Sequence, residues 1–154
     1  MTSPTETWES LGVALLITGP ELDPGELTRR LGVVPDLARG PNEAPDFRDG
    51  AGCWALRATS GSEPGALDGL VRTMLDRVRH LRPELTALRA EGHRVSLDVS
   101  GQVHHRERLV LDAELLSAVA ELGVPLSFSA EITRVGDEEG FWDWLPPADG
   151  SHRA

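Results

Sequence analysis

The segment VALLITGPELDPGELTRRLGVVPD, residues 13–36, joins an apolar run directly to a helix-start signal. Apolar residues fill both alternating sets of positions in 13–18, which predicts a strand that is buried on both faces or nearly so. Asp23 suits the N-cap of the following helix, Pro24 its first turn and Gly32 a left-handed C-cap. We therefore expect a buried strand and then a helix of about two turns, which needs a core to pack against.

Further along the chain, strand-like alternation flanks a long run with helical spacing. The stretches CWALRATS (53–60) and HRVSLDVS (93–100) alternate like half-buried strands. Between them, apolar residues recur at spacings of three and four, which predicts a long helix packed on the domain's own sheet. These residues are Leu67, Val71, Met74, Val78, Leu81, Leu85 and Leu88. Pro83 interrupts the run, so we expect a kink or a break near residues 81–82.

The last third of the core region predicts one more helix and a closing strand. After a turn expected at residues 100–102, the run RLVL (108–111) is a candidate short strand. Asp112 and Gly123 then suit the N-cap and the C-cap of a helix. PLSFSAEIT (125–133) is typical of a strand, with its apolar residues on one side. Those apolar residues are Leu126, Phe128, Ala130 and Ile132.

The resulting element order is β-α-β-α-β-(β)-α-β. Strands with one polar side favour a sheet with a solvated face, so we predict an α+β fold with a single layer of mixed or antiparallel sheet. About four to five strands form the sheet, with the helices on its other face, and the simplest version is ferredoxin-like. We assign the 154 residues to a single domain, with a core in 11–133 and an acidic, tryptophan-containing tail in 134–154.

The composition excludes several classes of site. The chain has no lysine, so a Schiff-base lysine and a P-loop lysine are excluded. Cys53 is its single cysteine, which excludes an internal disulfide and a cysteine-rich zinc or iron–sulfur site in one chain. No run has the length of a membrane span and the N-terminus lacks signal-peptide features, so we expect no membrane association and a cytoplasmic protein.

The charge balance bears on the partners. The formal net charge is −10, which disfavours nucleic acid because phosphate neutralisation drives that binding. The same charge attracts a basic protein partner, although an acidic surface also serves solubility alone. The sequence leaves the oligomeric state open.

Candidate chemistry is sparse. His104 and His105, with His93 or Glu107, could supply three zinc ligands if they met in a turn, but no zinc-binding spacing supports this. We expect a solvated hairpin tip there, and no metal and no cofactor. The stretch SGSEPG lacks the spacing of a nucleophile elbow, and we assign no catalytic residues.

One candidate site is an anion or ligand patch near a long polar loop. Residues 36–52 are rich in Gly, Pro and Asp, and a loop of such length is usually functional or mobile. Arg29 and Arg30 on the preceding helix, with Arg39 in the loop, are the candidate patch residues. The alternative is that these arginines are solvated or weakly paired.

The acidic tail is the other candidate. Phe141, Trp142 and Trp144 follow an acidic patch and precede two prolines. Tryptophan is enriched at the hot spots of interfaces, so these three residues are candidates for contacting a protein partner. The alternative is that they fold back and complete the domain's own core.

Several of these segments resemble, in the same order, a bacterial family. They are GPELDPGELTRRLGVVPD, GCWAL, HRVSLDVS and LVLDAELLSAVAELGVPLSFSA. Over roughly residues 11–133 the chain is similar to the family named domain of unknown function 4279. The resemblance implies a small α+β domain without catalytic residues to transfer, and some members are candidates for toxin–immunity settings. This chain departs from the family after residues 35–36, where LARGPNEAPDF replaces polar and often basic residues.

We therefore expect a non-catalytic module that binds a protein partner. Its most specific version is an immunity-like or antitoxin-like protein whose acidic surface masks a basic toxin. The alternative is a small enzyme or ligand sensor with a site near the 36–52 loop. A concave pocket with converging polar groups would favour the alternative, and a flat acidic or aromatic face would favour the first.

Overall fold

The computed structural model describes residues 8–43, 51–59, 66–103 and 108–132, and the fold is given for these ranges. Strands and helices follow in the order β1 (Glu9–Gly19), α1 (Pro24–Leu31), β2 (Leu37–Arg39), β3 (Gly52–Thr59), α2 (Ala66–Val78), α3 (Arg82–Ala90), β4 (Arg94–Val103), α4 (Ala113–Leu122) and β5 (Leu126–Ile132). A single 3-10 turn, Arg79–Leu81, joins α2 to α3.

The five strands form one mixed sheet in the order β2-β3-β1-β4-β5. β1 is central and pairs antiparallel with β3 on one side and with β4 on the other. β2 pairs antiparallel with β3, whereas β5 runs parallel to β4. The predicted α+β class with a single mixed sheet is confirmed.

The elements from β1 to β4 follow the β-α-β-β-α-β order of a ferredoxin-like motif when α2 and α3 are counted as one broken helix. In such a split motif an antiparallel strand separates the two strands that a helix connects, and here β3 lies between β1 and β2. α4 and β5 extend the motif, since a helical crossover from β4 adds a parallel strand at the edge.

One core holds the helices against one side of the sheet. Buried residues of all four helices belong to it, together with alternate residues of three strands. The strand residues are Leu11, Val13, Leu15 and Ile17 of β1, Trp54 and Leu56 of β3, and Val95, Leu97 and Val99 of β4. We call this side the helix face. Leu16 and Thr18, on the other side of β1, are also buried and Ala14 is half-buried, so β1 is nearly covered on both sides, as predicted.

The long helical run is broken at the position predicted from Pro83. Pro83 lies in the first turn of α3, directly after the 3-10 turn. The apolar side continues across the break, because Val78, Leu81 and Leu85 are 0%, 3% and 0% exposed. Within the described residues, no helix is long and apolar enough to cross a membrane.

The predicted caps of α1 and α4 are present. The Asp23 carboxylate accepts hydrogen bonds from the N–H groups of Gly25, at 3.0 Å, and Glu26, at 3.3 Å. Gly32 ends the helix at a φ of 69°, which glycine adopts without strain. Asp112 likewise caps α4, which ends at Gly123.

Three predicted boundaries were wrong. The loop expected at 36–52 contains β2, because Asp36 fastens the chain to β3 at this point. β4 continues through the turn expected at 100–102, since its pairing with β1 extends to Gln102. Residues 108–111, expected as a short strand, have no regular secondary structure.

One predicted burial pattern was also wrong. β3 is buried on both sides rather than half-buried, because Cys53 and Ala55 pack with Leu16 in a second small cluster. The predicted closing strand is present as β5, and its apolar side is largely exposed, with Phe128 at 45% and Ile132 at 70%, since β5 is the edge strand beyond the core.

Gly52 provides a direct test of the packing at the start of β3. A Cβ at Gly52 would lie 2.7 Å from the Leu22 carbonyl oxygen, a backbone atom that cannot move aside cheaply. We expect Gly52→Ala to lower the free energy of unfolding by about 1–3 kcal/mol in urea denaturation. Gly69→Ala, on α2 where the added Cβ would meet nothing within 4 Å beyond its own helix backbone, is the control and should raise it by about 0.5–1 kcal/mol. Equal effects of the two substitutions would contradict the assigned packing.

Candidate functional site

Trp54 fixes the orientation of β3 beneath α1. Its side chain is 0% exposed, and its indole N–H donates a hydrogen bond to Thr28 Oγ1 at 3.1 Å. The Thr28 hydroxyl in turn donates to the carbonyl oxygen of Pro24 at 2.9 Å. Because side chains alternate along a strand, Trp54 on the helix face places Cys53 and Ala55 on the opposite side of the sheet.

This opposite side, which we call the open face, carries no described helix. Its apolar part is the small cluster of Leu16, Cys53 and Ala55, with Leu37 of β2 packed against it. Next to this cluster lies a groove of about 380 Å³. Residues that line it include Gly12, Ala14, Leu37, Arg57, Asp98 and Ser100. The groove is the candidate functional site.

Small residues of β1 form the floor of the groove, and charged residues of the two neighbouring strands flank them. Ala14 pairs with Arg57 of β3 on one side and with Asp98 of β4 on the other. Neighbouring strands lie about 4.8 Å apart, so the backbones of Arg57 and Asp98 are separated by about 10 Å. A guanidinium and a carboxylate therefore stand on the two sides of a floor made of a methyl group and the glycine at position 12.

The two charged residues are held by their neighbours. Asp98 accepts hydrogen bonds from the hydroxyl groups of Ser96, at 2.9 Å, and Ser127. Both backbone groups of Arg57 are hydrogen-bonded, because its N–H donates to Asp36 at 2.7 Å and its carbonyl accepts from Arg77 at 3.1 Å. These contacts make Asp98 a positioned acceptor and leave the Arg57 side chain exposed at the rim.

Arg30 belongs to an ion-pair network between helices. Its guanidinium donates to Glu84 at 2.9 Å and to both carboxylate oxygens of Glu91 at 2.8 and 3.1 Å. The hydrogen bonds from Arg30 to Glu91 and Glu84 raise the pKa of the guanidinium above its usual value. Arg30 therefore ties α1 to α3, and its Nε and Nη1 donors are engaged by the protein itself.

The predicted arginine patch is not assembled. Arg39 pairs with Cys53 in the β2–β3 ladder, so its side chain lies on the open face. Arg29 and Arg30 lie on α1, which packs on the helix face. The three arginines are therefore divided between opposite sides of the sheet.

Other predicted candidates lie outside the described residues. This holds for Phe141, Trp142 and Trp144 of the tail, and for His104, His105 and Glu107, where a hairpin tip was predicted. In the ranges that are described, no group of three or more histidine, cysteine, aspartate or glutamate residues could hold a metal ion.

Sequence reasoning missed the groove. Arg57 and Asp98 are polar positions of two alternating strands, which was visible in the sequence. Their placement on either side of Ala14 depends on the pairing of β1 with both strands, which residue spacing alone does not give. The informative signal was the small residues Gly12 and Ala14 inside an otherwise large apolar strand.

The comparisons with known proteins give one match. The model of the family described as "Domain of unknown function (DUF4279)" matches residues 6–133. No curated protein and no solved structure matches the chain. The matched range contains every described strand and helix, including Thr28 and Trp54.

The network of Arg30 predicts a salt-dependent contribution to stability. We expect Arg30→Ala to lower the free energy of unfolding by about 1 kcal/mol at low salt, since exposed pairs contribute modestly even in a network. Most of this loss should disappear in about 1 M salt, where charges are screened over a few ångströms. Arg29→Ala is the matched control, because Arg29 is exposed on the same helix and forms no ion pair with a described residue. Equal losses from both substitutions would contradict the assignment.

Proposed function

We propose that this chain, which belongs to the family described as "Domain of unknown function (DUF4279)", is a non-catalytic module that binds a protein partner through its open face. The observation that carries the proposal is the groove across three strands of that face. All described helices pack on the other side of the sheet, so the groove is formed by strands alone. Sheet strands hold a surface more rigidly than loops do, which suits a preformed binding site.

The chemistry of the groove suits an extended segment of a partner. Its floor of Gly12 and Ala14 allows a backbone to approach closely, and the hydroxyl group of Ser100 lies beside it. Arg57 and Asp98 on opposite sides can each pair with a group of opposite charge, which fixes the direction of the bound segment. Leu37 and Leu16 offer apolar contact at one end.

The overall charge supports a basic partner. At a net charge of −10 the chain attracts cationic proteins and accelerates their association, and it repels nucleic acid. The most specific form of the proposal is an immunity-like or antitoxin-like protein that acts in the cytoplasm and masks a basic toxin. The tail residues Phe141, Trp142 and Trp144 stay predicted as additional partner contacts.

The same groove supports a second candidate function, a small enzyme or ligand sensor with a site near the 36–52 segment. The volume of about 380 Å³ falls within the range of small-molecule sites. Leu37, at the start of that segment, lines the groove, and the neighbouring Asp36 is hydrogen-bonded to β3. A zwitterionic small molecule would meet Asp98 and Arg57 with complementary charges.

Filling the groove tests both candidates. Ser100 is exposed at the groove, so Ser100→Arg should block it without loss of folding. Ser117→Arg, the same change at an exposed position on α4, is the matched control. A partner captured by the immobilised wild-type chain should then be purified and titrated calorimetrically. We expect Ser100→Arg to raise its Kd about tenfold or more and Ser117→Arg to leave it unchanged.

The outcomes separate the two functions. A partner that binds folded Ser100→Arg as tightly as the wild type contradicts the proposed surface. A small molecule that raises the Tm of the wild type and of Ser117→Arg, but not of Ser100→Arg, would instead support the ligand-sensor function.

A further inference from the structure

The two edges of the sheet differ in how well they are protected against pairing with a further strand. The β2 edge is only three residues long and carries Arg39, and short or charged strands are the usual protection against edge pairing. The β5 edge has seven residues and no proline, and Glu131 is its single charged residue. No described strand pairs with its outer side, and the residues from Phe128 to Ile132 are exposed.

The backbone of β5 presents a regular set of groups at this edge. The N–H of Leu97 donates to the carbonyl oxygen of Pro125 at 2.8 Å, and Leu97 pairs with Leu126 in the parallel ladder. In a parallel pair the backbone groups of alternate residues point toward the neighbouring strand. The odd-numbered residues of β5 therefore face β4. Phe128, Ala130 and Ile132 direct their N–H and carbonyl groups outward.

We propose that two copies of this chain pair through β5, antiparallel, about a two-fold axis at Ser129. Only this register gives all seven residues of β5 a partner within β5 of the second copy. It also aligns the outward-facing groups, because Phe128 then lies opposite Ala130 of the second copy and exchanges backbone hydrogen bonds with it. The pairing joins two five-stranded sheets into one continuous sheet.

The side chains of β5 are complementary to themselves in this register. On the helix face, the large Phe128 side chain meets the small Ala130, and Leu126 meets Ile132. Phe128 and Ile132, which are 45% and 70% exposed in one chain, become covered. On the open face, Glu131 lies opposite Ser127, so the carboxylates of the two copies do not face each other.

The competing occupant is the chain's own C-terminal segment. Residues 133–154 follow β5 directly and lie outside the described residues. A monomer in which this segment pairs with β5 would satisfy the same edge. The position of Ser129 on the two-fold axis distinguishes the two arrangements, because only pairing between copies places this residue opposite itself.

Charged substitutions at Ser129 test the proposal on the full chain. Sedimentation over a concentration series should show the wild type at twice the 16.6 kDa of one chain. Ser129→Glu and Ser129→Arg each place like charges opposite one another, and each should raise the dissociation constant of the dimer roughly fivefold or more. An equimolar mixture of the two variants should form a heterodimer, since opposite charges then face each other. Ser117→Glu, at an exposed position on α4, is the control and should stay dimeric.

A wild-type chain that stays monomeric throughout the series would overturn the proposal, and strong amide protection of β5 in that monomer would identify the chain's own segment as the occupant. A dimer that tolerates both Ser129 variants equally would place the interface elsewhere. Circular dichroism on each variant separates lost pairing from lost folding, because Ser129 is exposed in the single chain.

Discussion

The burial of Trp54 beneath α1, with its indole N–H bonded to Thr28, is the constraint on which the rest of the structure depends. It holds the short helix α1 on β3, and a helix of eight residues needs such an anchor to persist. It also decides which side of β3 faces the core, because a shift by one residue would move every side chain of the strand to the other face. Gly52 permits the arrangement by letting β3 approach the backbone of Leu22.

The candidate site follows from that orientation. With Trp54 in the core, Arg57 lies on the open face, and the central strand places Ala14 between Arg57 and Asp98. All described helices are used to cover the other side of the sheet. The groove is therefore a consequence of the orientation of β3. A partner that binds there would contact residues that strand pairing brings together.

The sequence predicted local structure well and long-range pairing poorly. The caps at Asp23 and Gly32 and the break at Pro83 depend on neighbouring residues, so residue type and spacing sufficed. β2 was missed because it depends on hydrogen bonds between Asp36 and β3, whose residues lie about 20 positions away. The partners of Arg30 are more than 50 positions away on α3 and beyond, which no spacing rule connects.

A double-mutant cycle of Trp54→Phe and Thr28→Val measures the central contact most directly. Each single substitution also changes packing or the bond to Pro24, but the cycle removes those contributions and isolates the interaction between the two side chains. From urea denaturation we expect a coupling free energy of about 1 kcal/mol, the usual contribution of a buried neutral hydrogen bond. Additive losses, within about 0.3 kcal/mol, would show that the two side chains do not interact and would contradict the account.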